Sequence, residues 1–522
     1  MLRLKLNSPA AFFLLALVVS LFFVVLPLFN QGFFQSDDGE WMIIRFSAFH
    51  EAFRDGQIPV RFLGRLNHGY GYPVANFLYP GFMYLAEPIH LIGFGFVDTI
   101  KILFGLSLIG SGVFCYLWLL RLYPPLEAFI GSIVYVYAPY HLYDVYKRGS
   151  LGESLALAVV PFILWSIERK SIFWSSIGIA LLILSHNTLA LLFLPLIVVY
   201  MLLDIFITEN REKLFYQYTS ILVFGIGASA FFWIPALYDL QYTVFSKTAI
   251  SNWSEYFADY MLVGLSTFII LMLAIFLFAA KKIKPQKHRL TIVFLFVGIA
   301  SLFLATAGSS ILWGILPVNF IQFPFRFLSV TIICFSFLAA FVISVLEKKA
   351  KIAVAISIVL VTFFSARAYM APALYFDKPE DLYATNEDTT TVKNEYMPKW
   401  VREIPKEHFD QKVEIEQGEV SDIKIQTNRV SFNTKAEEPT RASINTVYFP
   451  GWKVKIDNQN TPINYTNDKG IMTFSLTGGS HVVEALFTET PVRIVSDTVS
   501  IVSFGLLIVW SVYLRKKYEQ KI

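Results

Sequence analysis

Long apolar runs separated by short polar turns set the pattern of this chain. They fall near 10–29, 98–120, 126–144, 153–167, 172–185, 188–206, 214–238, 260–280, 290–307, 326–346, 351–369 and 493–514. A helix of about 20 apolar residues spans the hydrocarbon core of a bilayer, so the pattern predicts a polytopic α-helical membrane protein with about 12 transmembrane helices. Between the last two runs the period changes. Residues 372–492 contain alternating stretches such as VEIEQG, DIKIQTN, RVSFNTK, ASINTVYF and WKVKIDNQN, punctuated by Gly, Asn and Asp. Period-two alternation with such turns predicts a small antiparallel β-sandwich. The chain therefore divides into a membrane part (1–371), a mainly-β part (372–492), and a final helix with a basic tail (493–522).

Composition agrees. The chain is 55% hydrophobic and 16% charged, against about 25% charged for a soluble protein. The net charge of +4 says little, because the charges are segregated. Cys115 and Cys334 both lie inside apolar runs, which argues against a disulfide framework or a zinc site. The first run is long for a signal peptide and no small-x-small site follows, so it reads as an uncleaved span.

Basic loops give the orientation. Arg121 and the runs at 168–170, 209–213, 281–289, 347–351 and 515–521 all fall on the cytoplasmic side if 81–97 does not cross. That apolar segment holds Glu87, Pro88 and His90 and reads as a helix lying in the interface. An ordinary span there would invert every later loop. Both termini are then cytoplasmic in a multi-pass protein of the cytoplasmic membrane. The segments 30–97, 145–152, 239–259, 308–325 and 370–492, with the turn at 186, face outward. The inner loops carry no phosphate-binding glycine loop, and nothing points to nucleic acid.

The unusual polar residues collect in the outer segments. SDDGEW (36–41) places Asp37 and Asp38 at a membrane–water boundary, where an ionised group is costly and marks a site or a topology signal. An amphipathic helix suited to the bilayer surface follows, with Ile43, Ile44, Phe46, Phe49 and Phe53 on its apolar face, ended by Gly56 and Pro59. Then come Arg61, Arg65, the turn NHGYGYP and a row of aromatics that includes Tyr79. The aromatics suit either an interfacial belt or the wall of a ligand site. The third run ends near Tyr143, and Arg148 and Glu153 follow it, flanking Gly149 and Gly152. A buried ion pair and a substrate- or metal-contacting loop both fit them. His186 sits in SHNT; Gln322 and Arg326 bracket Pro324, and an arginine on the outer side calls for a phosphate or carboxylate partner. Glu395 and Tyr396 lie in an irregular approach to the β part, read as passing over the membrane part.

The order of SDDGEW, GYGYP with FLYP, RGSLGE, SHNT, IQFPFRFL, NEYMP, and YFPGWKVKIDN followed by GGSHVVEALF resembles the 6-pyruvoyl-tetrahydropterin synthase-related membrane proteins. Those in turn look like the GT-C superfamily of glycosyltransferases that use polyprenyl-phosphate sugars. The resemblance spans nearly the whole chain and implies a GT-C-like fold with an extracytoplasmic β-domain. It implies that an inverting-type enzyme takes a sugar from a polyprenyl-phosphate donor and passes it to a glycan or lipid-linked acceptor of the cell envelope. The superfamily's acidic motif falls on Asp37 and Asp38, one of them the base, and its second polar loop on Arg148 and Glu153. The departing phosphate would meet Arg61, Arg65, Arg148 or Arg326, because sugar transfer needs an activated hydroxyl and cations for the leaving group. The pair here is Asp–Asp followed by Glu40 instead of Asp–Glu. That leaves open which carboxylate is the base, with Asp37 favoured. It also leaves open whether a divalent cation (Mg or Mn) sits at Asp37, Asp38 and Glu153. A lipid-linked sugar flippase and a non-catalytic envelope scaffold are the rival readings.

Overall fold

The structure, a computed structural model, describes residues 8–247, 252–280, 285–315 and 321–519. Of the basic stretches above, 281–284 and the end of the tail from 520 lie outside the described residues. The chain opens with α1 (Pro9–Val25), capped by the Ser8 hydroxyl accepting from the Ala11 N–H. A two-residue strand β1 (Phe33–Phe34), α2 (Gly39–Arg54) and α3 (Gly81–Leu91) form the long loop that follows α1. The helical body follows as α4 (Phe96–Leu122), α5 (Pro125–Val136), α6 (Pro139–Tyr143), α7 (Leu151–Glu168), α8 (Ile172–Ser185) and α9 (Asn187–Ile207). It continues as α10 (Arg211–Ala228), α11 (Ala230–Asp239), α12 (Tyr260–Val263), α13 (Leu265–Ala280), α14 (Pro285–Ala305), α15 (Ser310–Ile315), α16 (Leu328–Ser344) and α17 (Lys348–Ala366).

Every predicted apolar run is helical, but the helices differ in length. Among the described residues seven helices are long and apolar enough to cross a membrane, or nine if each of two bent pairs counts as one. The bends, 62° and 86°, fall between α10 and α11 and between α14 and α15. The remaining three runs are the shorter helices α5, α8 and α13. α5 stops where Ala138 turns extended ahead of Pro139, the conformation a following proline favours. Helix α3 has 11 residues with Pro88 inside it; at 1.5 Å per residue it reaches about 17 Å, too short for a hydrocarbon core of about 30 Å. It leaves Leu85, Leu91 and Ile92 exposed, as a helix at an interface would.

Helix α2 departs from the amphipathic surface helix expected. Everything from Met42 to Phe49 is buried. The reason is a strap that follows α17: β2 (Tyr375–Phe376), α18 (Glu380–Ala384) and the irregular chain to about Trp400. β2 pairs antiparallel with β1. Arg45 donates to the backbone oxygen and hydroxyl of Thr390, and Ser47 Oγ donates to Tyr383 O at 2.7 Å. The polar face of α2 thus supplies donors to the strap's otherwise unpaired carbonyls and not to head groups.

The β part holds β3 (Val413–Ile415), β4 (Glu419–Gln426), β5 (Arg429–Ala436), β6 (Thr440–Val447), β7 (Trp452–Ile456), β8 (Gln459–Thr461), β9 (Ile471–Leu476) and β10 (Gly479–Phe487). They form two antiparallel sheets, ordered β4-β5-β10-β7-β8 and β3-β6-β9. Alternation predicts the faces well: Val430, Phe432 and Ala436, then Met472, Phe474 and Leu476, then Val483, Ala485 and Phe487 are buried in turn. β4 is the exception. It is an edge strand with an irregularity between Ser421 and Lys424, and its alternation buries nothing. Last, α19 (Pro491–Glu519) returns to the helical body against α10 and α11. At its start Arg493 donates to Asp239 at 2.9 Å, with both side chains essentially inaccessible.

The long loop after α1, the strap and the β part lie at one end of the helices, and the turns at 209 and 347 at the other. Single cysteines at Gln35 and Glu419 should therefore react with a membrane-impermeant maleimide from one face. Cysteines at Glu209 and Lys349 should react only from the opposite face, while the buried native Cys115 and Cys334 stay silent. Labelling of positions 35 and 209 from the same face would contradict the fold.

Candidate functional site

Backbone pairing joins the first two motifs. The N–H of Asp37 donates to Lys147 O at 3.0 Å, and that of Asp38 to Arg148 O at 2.7 Å. Gly149 permits the approach: its φ is +67°, and a Cβ there would lie 2.5 Å from Ser36 Oγ and 2.7 Å from Gly39 N. Gly152 does the same on the other side, where a Cβ would fall 2.1 Å from the Tyr79 ring and 2.6 Å from Ser185 O. The two glycines of RGSLGE thus admit SDDGEW from one direction and FLYP and SHNT from the other.

Glu153 is the centre, with no exposed surface. Its Oε1 accepts from Arg148 Nη1 at 2.6 Å and from Arg326 Nε at 2.9 Å, and its Oε2 accepts from the Tyr140 hydroxyl at 3.0 Å. Arg148 Nη1 also donates to Asp144 Oδ1 at 2.6 Å, and its Nη2 lies 4.0 Å from Asp38. Arg326 Nη1 donates to Ile321 O and to Gln322 Oε1, at 2.8 and 3.0 Å. No described residue bonds its Nη2. Both guanidiniums lie over Phe323, at 5.6 and 4.7 Å from the ring centre, and Arg148 also lies over Phe325. Two buried cations and two buried carboxylates make the cluster neutral, which is what allows its burial.

His186 completes one wall. Its Nδ1 accepts from the Leu189 N–H and caps α9, so the ring proton falls on Nε2, 3.6 Å from Glu153 Oε1. Burial pushes its pKa down to about 3; Glu153 opposes this and the two arginines reinforce it. The imidazole is therefore a neutral donor near pH 7. Tyr79 packs on it at 4.6 Å, and burial lifts the Tyr79 pKa to about 12, so its hydroxyl stays protonated. Asp37 is different, being exposed at the mouth of the cluster. Partial burial raises its pKa above the usual aspartate value; Lys147 opposes, Asp38 adds, and Arg148 opposes.

The structure thus gathers Asp37, Asp38, Tyr79, Arg148, Glu153, His186, Gln322 and Arg326. Tyr143 flanks them, edge-on to Phe325 at 6.0 Å. Tyr396 is stacked between Phe77 and Phe245, at 4.9 and 5.8 Å, and Glu395 beside it keeps one buried oxygen without a partner. Two expected phosphate ligands are elsewhere. Arg61 is clamped by Glu489 and Asp497 at 2.8 and 2.7 Å, with Phe231 O as a further acceptor, and fastens the first loop to α19. Arg65 spends its donors on Ser47 Oγ and the strap carbonyls of Ala384 and Asn386. A phosphate would have to displace those partners. Both oxygens of Glu153 accept from protein donors, as a buried ion pair that holds the two arginines would. Among the described residues no group of three or more His, Cys, Asp or Glu stands together as a metal cage. Arg45 and Asp144 are not among the expected site residues. Asp144 had a signal, four residues before Arg148 on one helical turn. Arg45 had none, because its partner Thr390 lies 345 residues away.

Comparison with known proteins places the chain. No curated protein matches it. Among solved structures it is similar to the arabinofuranosyltransferase AftD from mycobacteria, at 14% identity and TM-score 0.46 over 70% of this chain and 27% of that one. It is also similar to the Archaeoglobus fulgidus oligosaccharyltransferase in complex with zinc and sulfate, at 15% identity and TM-score 0.41 over 74% of this chain and 58% of that one. For the oligosaccharyltransferase AglB of the same organism, in complex with an inhibitory peptide and a dolichol-phosphate, the values are 12%, 0.38, 72% and 56%. The chain thus spans about a quarter of the first of these and somewhat over half of the others. A family model described as "6-pyruvoyl-tetrahydropterin synthase related domain; membrane protein" matches residues 79–371, more than half of the chain, including Tyr79, Arg148, Glu153, His186 and Arg326. The chain belongs to that family of membrane proteins.

Proposed function

We propose that this chain is a membrane-embedded glycosyltransferase. It moves a sugar from a polyprenyl-phosphate carrier to a cell-envelope acceptor at the outer face of the cytoplasmic membrane. One observation carries the reading: a carboxylate pair at the mouth of the cluster, Asp37 exposed and Asp38 half-buried, meets Arg148, one of two arginines that a buried glutamate holds side by side. The arrangement suits the reaction. The acceptor hydroxyl oxygen attacks the anomeric carbon, its proton passes to the Asp37 carboxylate, and the bond from that carbon to the phosphate oxygen breaks. The electron pair leaves with the phosphate, which the outward edges of Arg326 and Arg148 would meet. The raised pKa of Asp37 strengthens it as a base. The solved glycosyltransferase structures above agree with this reading without carrying it.

The test is transfer by the purified chain in nanodiscs, with a panel of polyprenyl-phosphate sugars. Asp37→Asn should slow transfer by about two orders of magnitude or more, the usual contribution of a general base. Wild-type rates in both Asp37→Asn and Asp38→Asn would sink the assignment. A base must be ionised, so the rate should fall as pH drops through the raised Asp37 pKa. Lys147→Met removes a cation that lowers that pKa and should move the acid limb to higher pH. A limb unmoved, or moved down, would rule out Asp37 as the titrating base. Glu153→Gln leaves two buried guanidiniums short of a partner. It should cost about 3–5 kcal/mol of stability, read as a lower melting temperature in detergent; unchanged melting would contradict the positioning role.

A further inference from the structure

A cavity of about 330 Å³ opens where the loop between α1 and α4 meets the β part. It shares no residue with the Glu153 cluster. Two glycines let its walls close. A Cβ on Gly64 would lie 2.8 Å from the Thr427 backbone, and one on Gly69 (φ +79°) would lie 2.7 and 2.9 Å from the rings of His408 and Phe409. The turn NHGYGYP, which the transfer reaction does not use, is thus shaped to seat these rings.

The lining mixes aromatic faces with spare hydrogen-bonding groups. Lys412 Nζ donates to Gly69 O and Asn445 O, both at 2.8 Å, over the Phe409 ring. Burial pushes the Lys412 pKa down to about 7, so near neutral pH its nitrogen keeps either a third N–H or a lone pair. Trp452, 3% exposed, also lines the cavity, and its indole N–H has no hydrogen-bond partner. Leaving such a donor unmet costs about 1–3 kcal/mol, which a ligand oxygen at that ring edge would recover. Each carboxylate has one donor and keeps lone pairs free: Glu51 with Arg65 at 3.4 Å, Asp55 with the Thr427 N–H at 2.6 Å, and Glu387 with His408 at 2.9 Å.

Three carboxylates against Arg65 and Lys412 do not suit an anion, and so many charges do not suit a lipid chain. Groups that both give and accept hydrogen bonds, set among flat apolar rings, match sugar hydroxyls and the C–H faces of sugar rings. We infer that the junction cavity is a carbohydrate-binding site that takes a neutral, hydroxyl-rich ligand apart from the Glu153 cluster. Binding there does not depend on the transferase reading; if that reading holds, the cavity is where an acceptor glycan docks.

The experiment uses the full chain in nanodiscs and an array of neutral oligosaccharides of two to four hexose, pentose or N-acetylhexosamine units. Saturable binding to at least one is expected. It should weaken by about tenfold or more in Phe409→Ala and in Glu387→Gln, a half-exposed side chain whose loss does not threaten folding. Asp37→Asn, which should slow transfer, should bind as wild type does, so failure of one proposal is read separately from failure of the other. No binding to any member of the array, or binding unchanged in both cavity variants, would overturn the inference. So would binding of inorganic phosphate in place of the sugars.

Discussion

Two arginines from distant parts of the chain share one oxygen of Glu153 in a place water does not reach. Like charges side by side repel, and only a buried anion between them makes the pair tolerable. Asp144 balances the second charge, and Tyr140 takes the remaining glutamate oxygen. Much else follows. Arg148 leaves the helical body on a left-handed glycine, and that turn receives the backbone of Asp37 and Asp38. Arg326 lies beside Phe323, whose ring serves both guanidiniums. The ion cluster therefore fixes four chain segments against one another and leaves one carboxylate pair facing solvent.

A second system of contacts does for the outer parts what this cluster does for the helices. The strap between α17 and the β part takes donors from Arg45, Ser47 and Arg65, and its residue Tyr396 is clasped between Phe77 and Phe245. Arg61 then locks the first loop to α19 through two carboxylates. The charged residues of the first loop are spent on holding the outer parts together. This explains why that loop carries more arginines than any one site would use.

Local pattern made most of the elements legible in the sequence, and long-range contact hid the rest. The apolar runs marked the helices and period-two alternation marked the strands, because burial of one face acts within a few residues. Hydropathy marks α5, α8 and α13 in the same way as the longer helices, since it does not register a break such as the one before Pro139. The site motifs were visible because polar residues at the edge of apolar runs are rare. Their roles were less so. Arg61 and Arg65 looked like phosphate ligands because their partners, Glu489, Asp497, Ala384 and Asn386, lie hundreds of residues away. The burial of α2 was hidden for the same reason, its cover being the strap.

The central claim is that the arginines held by Glu153, opposite Asp37, form the place where a lipid phosphate departs. A structure of the chain in nanodiscs with a non-reactive polyprenyl-phosphate analogue tests it most directly. The account predicts the phosphate against the free edges of Arg326 and Arg148, with Asp37 facing it across the gap. A phosphate seated on Arg61 or Arg65, or at the far ends of the helices, would contradict it.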